Sequence, residues 1–194
     1  MRLTQAEIER NRKQILEVAG RLFRERGFDG VGVDDLMKVA GFTHGGFYNH
    51  FASKAELVAE ASAAGTAKTK ATLVEALSDR RRDAWERFVR DYLSTEHRGD
   101  PAGGCMLGAL AADAARKGPT VQARFADAVG GMAGALADYL PRQPSRGKQA
   151  RARRARALQM LSELVGALVL ARAVASADPA LSDEILAASR RGLR

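Results

Sequence analysis

The sequence predicts an all-α protein: an N-terminal three-helix, helix-turn-helix domain followed by a C-terminal helical bundle, about nine helices in all. Three observations carry the prediction. Ala, Leu, Arg and Glu, all good helix formers, are abundant. No run alternates strictly between apolar and polar residues, as a half-buried strand would. Apolar residues recur instead at helical spacing, punctuated by Gly, Pro and Ser.

In the first helix, Ile15, Ala19, Leu22 and Phe23 share one face, and Gly27 ends it. A second helix is expected over Val33 to Ala40, with Asp34 and Asp35 in its first turn and Gly41 as its stop. Thr43 is placed to cap a third, running to about His50. Ser53-Lys54-Ala55-Glu56 has the form of a capping box and starts a fourth, which runs to about Leu77.

A fifth helix is expected over about Asp83 to Thr95, with Trp85, Phe88, Val89 and Tyr92 inward. The loop Gly99-Asp100-Pro101 follows it. A sixth covers about Gly104 to Lys117, broken by Gly118-Pro119, and a seventh about Thr120 to Leu140. Residues 141–150 read as a polar loop. The eighth helix runs to about Ser176, with Leu158, Leu161, Val165, Leu168 and Val169 as its buried stripe. Asp178-Pro179 opens the last helix, whose apolar face is Leu181, Ile185 and Ala188.

Composition narrows the class. Apolar residues at 46% and charged residues at 28% fit a globular chain and argue against disorder. The N-terminus has no apolar run of the signal-peptide kind, and no stretch is expected to approach the roughly 18 apolar residues needed to span a bilayer. One cysteine, Cys105, excludes an internal disulfide, so a cytoplasmic protein is expected. The net charge of +8 is uneven. Residues 1–54 hold nine Lys/Arg and seven Asp/Glu, whereas residues 142–156 hold seven Lys/Arg and no acid. That basic segment reads as a solvated loop and helix start, with contact to an acidic partner as the sharper alternative. Overall charge is thus no argument for a nucleic-acid partner.

The argument lies in spacing. Two short helices joined by a tight turn after a longer helix form a helix-turn-helix. Leu36, Ala40, Phe47 and Phe51 are placed to meet over Ala19 and Phe23. Thr43, His44, Gly45, Tyr48 and Asn49 are then left outward, as short polar or backbone-exposing groups suited to DNA. Gly45-Gly46 costs a helix roughly 1 kcal/mol per glycine relative to alanine. Close approach of backbone to DNA would explain that cost.

The run from Val33 to Gly41, then Phe42-Thr43-His44-Gly45-Gly46-Phe47-Tyr48-Asn49-His50-Phe51 and Ser53-Lys54, resembles the N-terminal domain of TetR/AcrR-type transcriptional regulators. Its mark is Tyr48, three residues to Phe51, and three more to Lys54. The resemblance covers about residues 8–60. It implies a DNA-binding domain at 1–52 and a ligand-binding, dimerising domain at 53–194. It also implies a homodimer through the last two helices, double-stranded DNA with a palindromic operator as partner, and a small-molecule inducer. By the same resemblance Thr43, Tyr48, His50 and Lys54 bind phosphates, and His44, Gly45 and Asn49 face base edges. A hydroxyl, a phenol and an ammonium suit phosphate oxygens, and Asn pairs with adenine. Gly32 departs from the pattern, since many relatives carry Thr or Ser there.

Gly103 to Gly108, around Cys105, is similar to a subgroup of that family with a sensing cysteine. Cys105 is expected near a helix N-terminus, where the dipole favours thiolate, with Arg172 as candidate partner. A small buried apolar role for Cys105 is the alternative. Trp85, Phe88, Tyr92, Met106, Leu110, Phe125, Met132 and Met160 are candidates to line an effector site, and equally candidates for plain core. Apolar walls would select an apolar inducer.

The expected function is therefore sequence-specific repression, relieved by a small apolar ligand or by modification of Cys105. The alternatives are a helical interaction module without DNA binding and a helical enzyme. No nucleophile–base pair, metal cluster or phosphate loop stands at usable spacing, so no catalytic residue, metal or cofactor is expected.

Overall fold

The computed structural model describes residues 4–79, 81, 83–140 and 148–193. Among these residues there are ten helices and no strand. Helix α1 spans Gln5–Arg26. Thr4 Oγ1 accepts from the Glu7 N–H and the Glu7 carboxylate accepts from the Thr4 N–H, closing a capping box. Gly27 ends α1 at φ 74°, and its N–H returns to the Phe23 carbonyl. A Cβ there would also sit 2.7 Å from Asp113 Oδ2, so glycine is required twice over.

Helices α2 (Val33–Val39) and α3 (His44–Phe47) follow, separated by Gly41 at φ 82°. The third helix is shorter than expected. Beyond Phe47 the chain continues as turns to His50, held by bonds from the Asn49, His50 and Phe51 N–H groups to Gly46 and Phe47 carbonyls. Thr43 occupies the N-cap position of α3, but its hydroxyl makes no cap bond. Helix α4 is Lys54–Ser78. Ser53 Oγ accepts from the Glu56 N–H at 3.1 Å, while Glu56 reaches back to the Ala52 N–H, one residue before the cap.

The remaining helices are α5 (Ala84–Tyr92), α6 (Thr95–Gly99), α7 (Met106–Ala114), α8 (Pro119–Tyr139), α9 (Lys148–Val174) and α10 (Pro179–Gly192). Sequence spacing did not predict α6. Ser94 starts it by accepting from the His97 N–H, and a single turn of Thr-Glu-His-Arg-Gly carries no apolar period to read. Most of the polar loop expected at 141–150 lies outside the described residues.

The chain packs as two compact units, Met1–Ala67 with Ala102–Phe125, and Lys68–Pro101 with Ala126–Arg194. In the first, Ile15, Ala19, Phe23, Leu36, Ala40, Phe47, Phe51 and Leu57 are at most 1% exposed and form the core of the helix-turn-helix. Helix α7 packs on α1 in the same unit. Arg24 Nε donates to the Ala102 carbonyl at 2.6 Å, Asp113 accepts from the Phe28 N–H, and Lys117 pairs with Asp29. On α4, a Cβ at Gly65 would meet the tip of the Met106 side chain of α7.

In the second unit α9 packs along α10. Ser182 Oγ donates to the Ala171 carbonyl at 2.7 Å, and Trp85 Nε1 donates to the Leu193 carbonyl at 2.6 Å. The buried stripe of α9 is Ala157, Met160, Leu161, Leu164, Ala167, Leu168 and Ala171. It differs from the expected stripe: Leu158 and Val169 are outward, at 36% and 40% exposed. Leu170 on α9 and Leu181 on α10 are outward as well, and Ser182 and Leu186 are the buried residues of α10. Apolar residues surround much of α9, so its sequence did not select one face. An 18-residue window within Gln149–Val174 has a mean hydropathy of 1.6, long and apolar enough by composition to cross a membrane, and 39% of it is buried. This window departs from the expectation that no stretch approaches bilayer-spanning length.

Candidate nucleic-acid interface

The predicted surface is assembled by α3 and the turn after it. Phe47 and Phe51 point inward and stack at 5.6 Å between ring centroids, 29° apart. That anchor turns Thr43, His44, Gly45, Tyr48 and Asn49 outward, and all five are exposed. Tyr48 is 65% exposed although it is a large aromatic. Its ring meets Phe47 edge-on at 5.3 Å and His44 edge-on at 5.9 Å, so its direction is fixed while its hydroxyl stays in water. His50 and Lys54 are half-buried.

Neither glycine of α3 is required by the protein. A Cβ on Gly45 would meet nothing within 4 Å, and one on Gly46 would make ordinary contacts with Thr43 and Met37. Their presence is thus unexplained by internal packing, as the close-approach reading requires.

Two residues not expected at the site shape it: Arg12, and Asp34, expected only as a first-turn acid of α2. Asp34, in the first turn of α2, pairs through Oδ1 with His44 Nδ1. The pair fixes the imidazole and leaves Nε2 to face outward. Arg12 on α1 donates to the His50 carbonyl and pairs with Glu60 of α4. Its guanidinium carbon lies 4.3 Å from the Phe51 ring centroid. Burial, and next the Arg12 charge, push the His50 imidazole below the usual histidine range. His50 Nδ1 is buried without a hydrogen-bond partner. A neutral His50 would contact phosphate as a hydrogen-bond donor, not as a cation.

The effector candidates divide between the units. Met106, Leu110 and Phe125 are buried in the first, and Cys105 is 5% exposed at the N-cap of α7. In the second, Trp85 is buried and stacks on Phe88 at 5.8 Å, Phe88 meets Tyr92 at 5.7 Å, and Met132 and Met160 are buried. The Arg172 guanidinium donates to the Arg98 carbonyl at 3.0 Å and the His97 carbonyl at 2.6 Å, closing the C-terminal end of α6. Arg98 in turn reaches Ser182 and Asp183 of α10, each at 2.6 Å. Among the described residues no three His, Cys, Asp or Glu converge as a metal site. In the basic segment, Arg151, Arg154 and Arg156 are exposed on α9 while Arg153 is half-buried.

A short α2–turn–α3 pair, cored by α1 and presenting a polar α3 surface, defines a helix-turn-helix protein with an appended helical body. Residues 15–61 match the model of "Bacterial regulatory proteins, tetR family". The HTH-type transcriptional regulator TtgR of Pseudomonas putida is 43% identical over 58 residues, 30% of this chain and 28% of that protein. The HTH-type transcriptional repressor KstR2 of Mycobacterium tuberculosis is 41% identical over 54 residues, 28% of this chain and 27% of that protein. The matched segment is thus under a third of those relatives' length. The fold is similar over nearly the whole chain. The reduced form of E. coli NemR superposes with TM-score 0.75 at 20% identity, covering 95% of both chains. A TetR transcriptional regulator from Chloroflexus aurantiacus gives 0.77 at 20% identity, covering 97% of this chain and 94% of that one.

Proposed function

We propose that the protein is a sequence-specific DNA-binding repressor. It acts as a cytoplasmic homodimer on a palindromic operator and leaves it when the helical body binds a small molecule or when Cys105 is modified. The observation that carries this reading is the exposed set Thr43, His44, Gly45, Tyr48 and Asn49 on α3, backed by the Phe47–Phe51 anchor. Lys54, Thr43, Tyr48 and His50 bind phosphates; His44, Gly45 and Asn49 read base edges.

The outward apolar residues Leu158, Val169, Leu170 and Leu181 support dimerisation through α9 and α10. Such a dimer sets two α3 helices in successive major grooves, about 34–36 Å apart. Helix α7 offers a route from body to DNA, because it carries Cys105 and Met106 and packs on α1. A catalytic role has no support in the site.

The test is a mobility-shift titration of the full chain against DNA upstream of its own gene, with Tyr48→Ala alongside. Binding that weakens steeply with salt and is lost in Tyr48→Ala supports the reading. No protected palindrome by footprinting, or a Tyr48→Ala variant with unchanged affinity, overturns it.

A further inference from the structure

One charged group in the helical body is left without an account by the DNA-binding reading. Arg153 lies on α9 four residues before Ala157, seven before Met160 and eleven before Leu164, all three buried. That spacing puts Arg153 on the inward face of the helix. Its Nε and Nη1 are shielded from solvent, and neither has a hydrogen-bond partner. Arginine stays charged, so it cannot escape the cost of burial by releasing its proton. Buried guanidinium nitrogens normally find acceptors, and a pair without them calls for a reason.

The helix supplies no counter-charge. The positions one turn away, Gln149, Ala150, Arg156 and Ala157, include no acid. The one acid within α9, Glu163, lies against Gly192 of α10, with Oε1 2.6 Å from where a Cβ would stand. The neighbouring arginines Arg151, Arg154 and Arg156 are exposed, which leaves Arg153 as the inward-facing cation of this segment among the described residues.

We propose that Arg153 anchors the carboxylate of a small organic acid with an apolar body. The inference rests on the reading of the body as an effector-binding domain and names the effector's chemistry. A single inward cation on an apolar face matches one negative charge on an apolar frame. A phosphate dianion would call for several converging cations and is disfavoured. The apolar inducer expected from Met160 and the aromatic residues thereby gains an anionic head.

The experiment uses the full chain, with octanoate and phenylacetate as probes. Octanamide and phenylacetamide are the uncharged controls, and inorganic phosphate is a third arm. Thermal melts and calorimetric titration are read for the wild type, Arg153→Lys and Arg153→Met. At least one carboxylate is expected to raise the wild-type melting temperature by about 2 °C or more, while its amide does not. Arg153→Lys keeps a weaker response and Arg153→Met loses it. Arg153→Met is also expected to melt higher than wild type without probe, because it removes two guanidinium nitrogens buried without acceptors. A merely structural arginine would give the opposite sign. No response to either carboxylate, equal response to the amides, response to phosphate alone, or a lower-melting Arg153→Met that still responds overturns the proposal. Mobility shifts are run separately. A carboxylate that binds through Arg153 without releasing DNA leaves this site standing and counts against induction instead.

Discussion

The guanidinium of Arg12 lies over the ring of Phe51, 4.3 Å from its centroid. The same group donates to the His50 carbonyl and pairs with Glu60, with Glu56 3.8 Å away. Three helices of the N-terminal part are thus referenced to one side chain: α1 carries it, the end of the α3 turn receives it, and α4 neutralises it. Arg12→Met keeps much of the packing and removes the charge and the bonds. It is expected to cost about 1–2 kcal/mol in urea unfolding, the partial exposure of both acids holding the value down. Its effect on operator affinity should exceed what the unfolded fraction explains, because α3 loses its reference to α4. Equal affinity per folded molecule would show that Arg12 serves stability alone.

Gly45 gives a prediction with two opposed signs. In the protein alone a Cβ there meets nothing within 4 Å, so Gly45→Ala should stabilise by roughly 0.5–1 kcal/mol through helix propensity. On DNA, the added methyl intrudes where the backbone is proposed to approach the bases. Affinity should fall at least about tenfold, equivalent to roughly 1.4 kcal/mol. Chemical denaturation and footprinting on one preparation read both. A Gly45→Ala protein that binds as well as wild type would remove the close-approach argument.

Asp34 is expected to influence which base is read, without touching it. It holds His44 Nδ1 and so sets which imidazole nitrogen faces outward. Asp34→Ala releases the ring. The expected outcome is weakened discrimination at the base pair read by His44, with affinity for other positions preserved. Selection from a randomised operator library measures this. An unaltered preference at every position would mean that His44 is not a reader or that Asp34 does not orient it.

Two histidines give stability a defined dependence on pH. Burial, and secondarily Arg12, lower the pKa of His50; burial lowers that of His97, against the hydrogen bond to the Tyr92 carbonyl. Each is therefore more readily protonated unfolded than folded. Their contribution to stability is intact above the unfolded histidine value of about 6.5 and is lost as pH falls from there through the lower folded values. The urea midpoint should decline from pH 7 toward pH 5. Replacing both residues with Gln should flatten that decline, while the acid limb set by carboxylates such as Glu7, Asp29 and Asp79, whose pKa values are lowered, remains. A double variant with the wild-type slope above pH 5 would refute the assignment.

The helix-turn-helix was readable because its signals are local. Gly27 and Gly41 mark helix ends that need positive φ, and Ser53 to Glu56 announces α4 within four residues. The exposed face of α3 followed once Phe47 and Phe51 were taken as core. Arg12 and Asp34 stayed hidden because their partners are 38 and 10 residues away, and many surface charges have similar spacing. On α9 the phase was misjudged because apolar residues serve two surfaces, an inward one through Leu164 and Leu168 and an outward one through Leu158, Val169 and Leu170. Periodicity identifies a face only when the opposite face is polar. Arg153, inside the most basic stretch, passed for another solvated charge for the same reason.

Gly32 allows the site to be improved as well as damaged. It stands at the N-cap of α2 with φ −77° and ψ 153°, extended geometry that any L-residue adopts, and no side chain caps the helix. A Cβ there would meet only Asp35 Oδ2 at 3.9 Å, an ordinary contact. Gly32→Ser therefore adds a hydroxyl that can accept from the Asp35 N–H without strain. The stability gain should be small, a few tenths of a kcal/mol, because glycine is itself a tolerated cap. The larger effect is expected on DNA, where the hydroxyl stands at the start of the helix-turn-helix and can donate to a phosphate. Operator affinity should rise about three- to tenfold, by one uncharged hydrogen bond, with no change in the salt slope because no cation is added. Unchanged affinity with the expected small gain in stability would place position 32 outside the DNA interface. A steeper salt dependence would mean that the substitution had shifted α2 and brought a lysine or arginine onto the backbone.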